Sequence, residues 1–150
     1  MAAPLRDQVR EQTTTALKAG DAVRVGTLRL LTAAITNREK EIGHELDDDE
    51  VREVAAKEVK RRTEAIEAFA GAGRDELVEK ESAEREILRP YAPAQLDDAA
   101  VAAIVDEVIA ATGATGPGDL GKVMGQAMGR LKGQADGTAV QALVRERLGA

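Results

Sequence analysis

The residues with the most chemical promise lie toward the C-terminus. Gly118, Gly121, Lys122, Gly125, Gly129, Arg130, Lys132, Gly133 and Gly137 combine bare backbone with positive charge. From Asp119 to Leu148 there are five basic residues (Lys122, Arg130, Lys132, Arg145, Arg147) and three acidic ones (Asp119, Asp136, Glu146), a local balance of +2 in a chain of formal net charge −6. Lys and Arg side chains, backbone N–H groups and helix N-termini are the groups that hold phosphate. The same pattern also describes an ordinary solvated helical face. Gly121 to Gly125 is not a nucleotide loop. A Walker loop sets its glycines ahead of a Lys–Ser/Thr pair, between a strand and a helix, whereas Lys122 precedes Val123 inside a helical pattern. Gly121 and Gly125 are instead expected to let a neighbouring helix approach closely, accepting the helix penalty of glycine.

A second basic strip is conceivable. Arg24, Arg29 and Arg38 are followed by Lys57, Lys60, Arg61 and Arg62, interleaved with Glu39, Glu41, Glu53, Glu58 and Glu64. Pairing along each helix accounts for them equally well. Other chemistry lacks parts. With no cysteine there is no thiolate ligand or Cys nucleophile, and His44 is the only histidine, so no His/Cys metal site can be assembled. Asp47 to Glu50 lack EF-hand spacing and suit a helix cap. Ser82 is the only serine, and neither it nor Thr13, Thr14 and Thr15 sit beside a base and an orienting third group. No catalytic residue, cofactor or metal is expected. Only Phe69 and Tyr91 are aromatic, too few for a base-stacking platform.

The elements that must position these residues are helical. Apolar residues recur at three- and four-residue steps in Leu5, Val9, Ala16 and Leu17, then in Val25, Leu28, Leu31, Ala34, Ile35 and Ile42. A third stripe runs through Val51, Val54, Ala55, Val59, Arg62, Ile66 and Phe69, and a fourth helix carries Leu77, Val78, Ile87 and Leu88. Gly20, Gly43, Gly71 and Gly73 punctuate them, with Asp21 and the run Asp47 to Glu50 supplying caps. Pro90 and Pro93 then forbid a continuous helix. Beyond them come helices through Val101 to Ile109, Leu120 to Leu131 (with Pro117 in the first turn) and Val140 to Leu148, capped by Asp97 or Asp98 and by Asp136. Strand alternation is missing. The expected class is all-α: an N-terminal four-helix bundle over 1–90, a hinge at 91–96 and three short helices over 97–150. No apolar run reaches membrane-span length and the first residues do not resemble a signal peptide, so a cytoplasmic location without membrane association is expected.

Three blocks carry a resemblance. The first is Gly20-Asp21, Arg24, Thr27-Leu28-Arg29, Leu31, Ala33-Ala34-Ile35, Asn37 and Glu39. The second is Tyr91, Pro93 and Gln95-Leu96. The third is Gly121-Lys122-Val123-Met124-Gly125, Lys132-Gly133, Ala135-Asp136-Gly137, Val140, Leu143-Val144 and Leu148. In order and spacing the chain resembles the GatB/YqeY family in its stand-alone form. The resemblance implies an N-terminal helical bundle and a three-helix tail similar to the C-terminal tail of the amidotransferase B subunit. That enzyme converts misacylated Glu-tRNA(Gln) or Asp-tRNA(Asn) to the amide, and its tail meets the tRNA body away from the chemistry. The activity attached to the family is that of a carbon–nitrogen ligase with glutamine as amido donor, but the large catalytic cradle has no counterpart in 150 residues. The expected function is therefore a non-catalytic, RNA-interacting accessory module. Its partner would be tRNA, met through Lys122, Arg130, Lys132, Gly133 and Arg145, or a tRNA-linked enzyme. The alternatives are a protein–protein adaptor and an amidotransferase component active only with partner subunits.

Overall fold

A computed structural model describes residues 3–131 and 133–149. It contains seven α-helices, and the described residues form no strand: α1 Leu5–Lys18, α2 Ala22–Ile42, α3 Asp48–Gly71, α4 Asp75–Leu88, α5 Asp98–Thr112, α6 Leu120–Leu131 and α7 Gly137–Leu148. The fold class is all-α. Short 3-10 turns at Arg89–Tyr91 and Pro117–Asp119 take up the prolines, so Pro117 enters a 3-10 turn rather than the first turn of α6. The chain divides into two compact units, Met1–Pro93 and Ala94–Ala150. No single helix among the described residues is long and apolar enough to cross a membrane.

In the first unit α1 packs on α2 and α3 on α4, while α2 also meets α3 and α4. Val9, Leu28, Leu31, Ile35, Leu46, Val51, Leu88 and Tyr91 form its core. Fully buried leucines such as Leu28 and Leu31 each contribute about 1.5–3 kcal/mol. Leu17 departs from the expected inward stripe and lies 59% exposed, because it stands about 100° around α1 from the buried Ala16. Side chains close the starts of α2 and α3. Asp21 accepts from the Arg24 amide, and Asp47 and Glu50 form a reciprocal capping box. Gly43 closes α2 at φ +80°, a conformation that favours glycine.

Two polar clusters fix the helices against one another. Glu39 on α2 accepts from the Arg6 guanidinium of α1 at 3.1 Å and from the Leu46 amide at 2.9 Å. Burial alone would raise its pKa, but the Leu46 and Arg6 hydrogen bonds and the positive charges of Arg6 and Arg10 hold it below the ordinary carboxylate value. Arg62, which the sequence places on the apolar stripe of α3, is buried. It donates to Glu58 at 2.8 Å and faces Glu84 of α4 at 3.5 Å.

In the second unit Val101, Val105, Val108, Val123, Ala127, Leu131, Val140, Val144 and Leu148 form a core without an aromatic ring. Asp97 caps α5 through the Ala100 amide and Asp136 caps α7 through the Thr138 amide. The expected hinge residues are not free. Tyr91 is buried in the first core. The Leu96 amide donates to Gln134 O at 2.9 Å, the Gln95 side chain to Gly133 O at 2.7 Å and the Gln134 side chain to Ala94 O at 3.2 Å. Ala92 also packs on the first core, and its amide donates to Arg89 O at 3.1 Å.

Two measurements follow. Glu39→Gln should lose about 1.5–3 kcal/mol at neutral pH, the range for a hydrogen bond to a charged group. Because the folded carboxyl titrates below its unfolded value near 4.5, its contribution is full above that pH and vanishes as pH falls through the folded value. The gap in urea midpoint between wild type and variant should therefore narrow as pH falls below about 4.5. A gap of constant size would show that the charge is not the cause. A fragment beginning at Ala94 should also fold alone, and one beginning at Ala99, lacking Leu96 and the Asp97 cap, should be at least about 1 kcal/mol less stable by thermal unfolding.

Candidate nucleic-acid interface

The solvent side of α6 carries two parallel rows. Val123, Ala127 and Leu131 point inward, which leaves Gly121, Gly125 and Gly129 in one exposed row and Lys122, Gln126 and Arg130 in the row beside it. A Cβ placed on Gly118, Gly121, Gly125 or Gly129 would meet nothing within 4 Å. Close helix packing at Gly121 and Gly125 is thus overturned, since no neighbouring helix uses their bareness. Each glycine inside α6 lowers helix stability by about 0.8–1 kcal/mol relative to alanine, with no return from packing inside the unit.

The charged residues are partly engaged. Lys122 Nζ donates to the carbonyl oxygen of Thr112 at the end of α5, at 3.2 Å, where a cation also suits the negative end of the helix. Arg130 donates to Glu107 of α5 at 2.7 Å, and Arg147 of α7 to Asp106 at 2.9 Å. Arg145 is exposed and makes no ion pair among the described residues. It lies two positions from Arg147, hence on the opposite side of α7 from the contact with α5. Gly133 sits at φ +80° with its carbonyl taken by Gln95. Lys132 lies outside the described residues. The structure therefore brings Lys122 and Arg130 into one row of α6, and Arg145 stands exposed on α7.

Sequence reasoning missed the acids of α5. Counting Asp119 to Leu148 alone gives +2. The whole unit from Ala94 to Ala150 has five basic residues and seven acidic ones (Asp97, Asp98, Asp106, Glu107, Asp119, Asp136, Glu146), a balance of −2. The adjacent pair Asp106-Glu107 was the available signal, on the helix that had to pack against α6 and α7. Both ion pairs to α5 are exposed, so each contributes about 0–1 kcal/mol and opens readily. On the first unit, Arg24 pairs with Asp21, Arg38 with Glu41, and Arg61 and Arg62 with Glu58 along their helices, whereas Arg29, Lys57 and Lys60 make no ion pair among the described residues. His44 is exposed, with Nδ1 2.8 Å from Glu45 O. No metal-binding cluster occurs among the described residues. An open hollow beside Arg6, Glu45 and Leu46 is lined by Asp47 and Asp48, whose carboxylates already accept from backbone amides.

This geometry can be set beside known proteins. The family model described as "Yqey-like protein" matches residues 6–148. The chain belongs to the Yqey-like family. Among its relatives is "Altered inheritance of mitochondria protein 41, mitochondrial" of Pyrenophora tritici-repentis, 29% identical over 145 residues that cover 90% of this chain and 76% of the relative. Another is a subunit of the glutamyl-tRNA(Gln) amidotransferase of Thermococcus gammatolerans, 30% identical over 124 residues, 79% of this chain but 20% of that protein. The protein of the first name from Eremothecium gossypii is 35% identical over 77 residues, 51% of this chain and 42% of its own length. This Yqey-like chain thus matches a fifth of the length of its amidotransferase relative.

The open glycine row of this Yqey-like protein makes a direct prediction. Gly125→Ala should raise the stability of the second unit by about 0.5–1 kcal/mol in thermal or urea unfolding, because the new methyl meets open space and alanine favours the helix. A loss of stability would show that the bare backbone packs against something within the chain.

Proposed function

We propose that this protein is a tRNA-interacting accessory module of tRNA-linked amidotransferase chemistry, and that it binds through the solvent face of α6. The observation that carries this reading is the exposed row Gly121, Gly125 and Gly129 beside Lys122, Gln126 and Arg130. Three glycines weaken α6 without serving the fold, so their use lies outside the unit. A face without Cβ atoms admits a ribose–phosphate backbone closely, and the neighbouring row supplies donors to its oxygens. The relative named as part of a glutamyl-tRNA(Gln) amidotransferase supports tRNA as the nucleic acid. Folded RNA is met through shape and backbone, which suits a surface with no aromatic ring. Chemistry would reside in partner subunits, and the purified chain should hydrolyse neither glutamine nor ATP.

The electrostatics set the expected strength. Against a unit charge of −2, a few phosphate contacts give affinities of about 10⁻⁴–10⁻⁶ M, steeply dependent on salt. Arg130 reaches phosphate by leaving Glu107, an exchange opposed by no more than about 1 kcal/mol. Glu107→Gln should therefore tighten tRNA binding several-fold at low salt. Replacing Lys122, Arg130, Lys132 and Arg145 together with Ala should weaken binding to all tRNAs alike and flatten the salt slope by somewhat less than one unit per lost contact. Filter binding or fluorescence anisotropy across a salt series reads both, with circular dichroism to confirm that the variants stay folded. Wild type that ignores tRNA at low salt, or a quadruple variant that binds equally well, sinks the reading.

A further inference from the structure

The outer side of α2 is apolar where a surface helix should be polar. Its inner side holds Val25, Leu28, Leu31 and Ile35. On the opposite side, Val23, Gly26, Leu30 and Ala33 recur at steps of three and four, the spacing of a helix-packing seam. Val23 and Leu30 are each 54% exposed, and Leu17, in the last turn of α1, is 59% exposed. These are the large exposed hydrophobic residues of the described chain, and all three belong to the α1–α2 hairpin. A scattered exposed leucine needs no explanation; a seam does. Between Leu17, Val25 and Gly26 lies a shallow hollow of about 320 Å³, and a Cβ on Gly26 would meet nothing within 4 Å. The seam therefore alternates bulk (Val23, Leu30) with space (Gly26, Ala33), the relief that receives the side chains of a second helix.

One border of the seam is cationic, while Glu41, at the C-terminal end of the other border, is held by Arg38. Arg29 and Lys40 share the outer side of α2, and Lys18 follows Leu17 on α1. None of the three makes an ion pair among the described residues, whereas Arg24 and Arg38, off the seam, pair with Asp21 and Glu41. Unpaired cations along an apolar stripe call for an acidic border on the occupant. A second copy is disfavoured. Setting Leu30 over Gly26 of an antiparallel copy would bring Arg29 against the other copy's Arg29, a like-charge contact.

We propose that the outer side of α2, with Leu17 of α1, docks an amphipathic helix of another protein whose apolar stripe is flanked by carboxylates. The partner lays its side chains over Gly26 and Ala33 and its acids against Arg29 and Lys40.

The test uses the full chain and labelled helical peptides matching α2 in length, with one Leu/Ala seam and either Glu or Lys flanks. Fluorescence anisotropy should show the Glu-flanked peptide binding about 10-fold or more tightly than the Lys-flanked one, with the preference shrinking as salt screens the rim. Gly26→Leu, which fills the seam and leaves the fold intact by circular dichroism, should abolish binding. Arg29→Glu with Lys40→Glu should invert the preference between peptides. Four outcomes overturn the proposal: equal binding of both peptides, unchanged binding by Gly26→Leu, a dimer in light scattering that Gly26→Leu dissolves, or binding to phosphatidylglycerol vesicles with neither peptide bound. The third would assign the seam to a second copy and the fourth to a membrane surface.

Discussion

The carboxylate of Glu39 is the joint of the first unit. It holds the Arg6 guanidinium of α1 and the Leu46 amide of the segment leading into α3, so a single side chain of α2 sets the register of the elements on either side. A half-buried carboxylate is best tolerated when its oxygens are satisfied and its charge is met, and here both conditions hold through groups on different elements. With the inner side of α2 committed in this way, its outer side is left as a second apolar surface. The central helix of the unit thus faces two ways, toward a core it completes and toward solvent it does not suit.

The second unit solves a different problem. Its helices are short and its core is built from valine, alanine and leucine, so stability per residue is modest. Into this unit the sequence introduces three glycines on the open face of α6, a weakening that packing within the unit does not offset. The ion pairs Glu107–Arg130 and Asp106–Arg147 hold the charged side chains in place without burying them. The result is a surface whose charged groups are ordered yet releasable.

Much of this is legible in the chain. Helix-period stripes locate all seven helices, and Asp21, the run Asp47 to Glu50 and Asp136 are readable as capping residues because capping is a local interaction a few residues long. What escapes is non-local. Arg62 looks like an interruption of the α3 stripe unless Glu84, on another helix, is placed beside it. The +2 of the tail changes sign because α5 contributes acids that only packing brings near. Gly121 and Gly125 read as packing contacts, since periodicity tells which residues share a face but not whether a neighbour covers it. Leu17 likewise reads as a core residue, but it stands about 100° around α1 from the buried Ala16, on the exposed side.

The burial of Tyr91 has a practical consequence. It is the only tyrosine in a chain without tryptophan, and it lies in the core of the first unit, where burial raises its pKa and Arg24 only partly opposes the rise. Phenol absorbance and emission therefore report on that unit alone, and the second unit is silent in the near ultraviolet. An unfolding curve followed by tyrosine and one followed by far-ultraviolet ellipticity observe different parts of the molecule. Their superposition would show that the two units melt together, and a gap between them would give the stability of each from one unmodified chain.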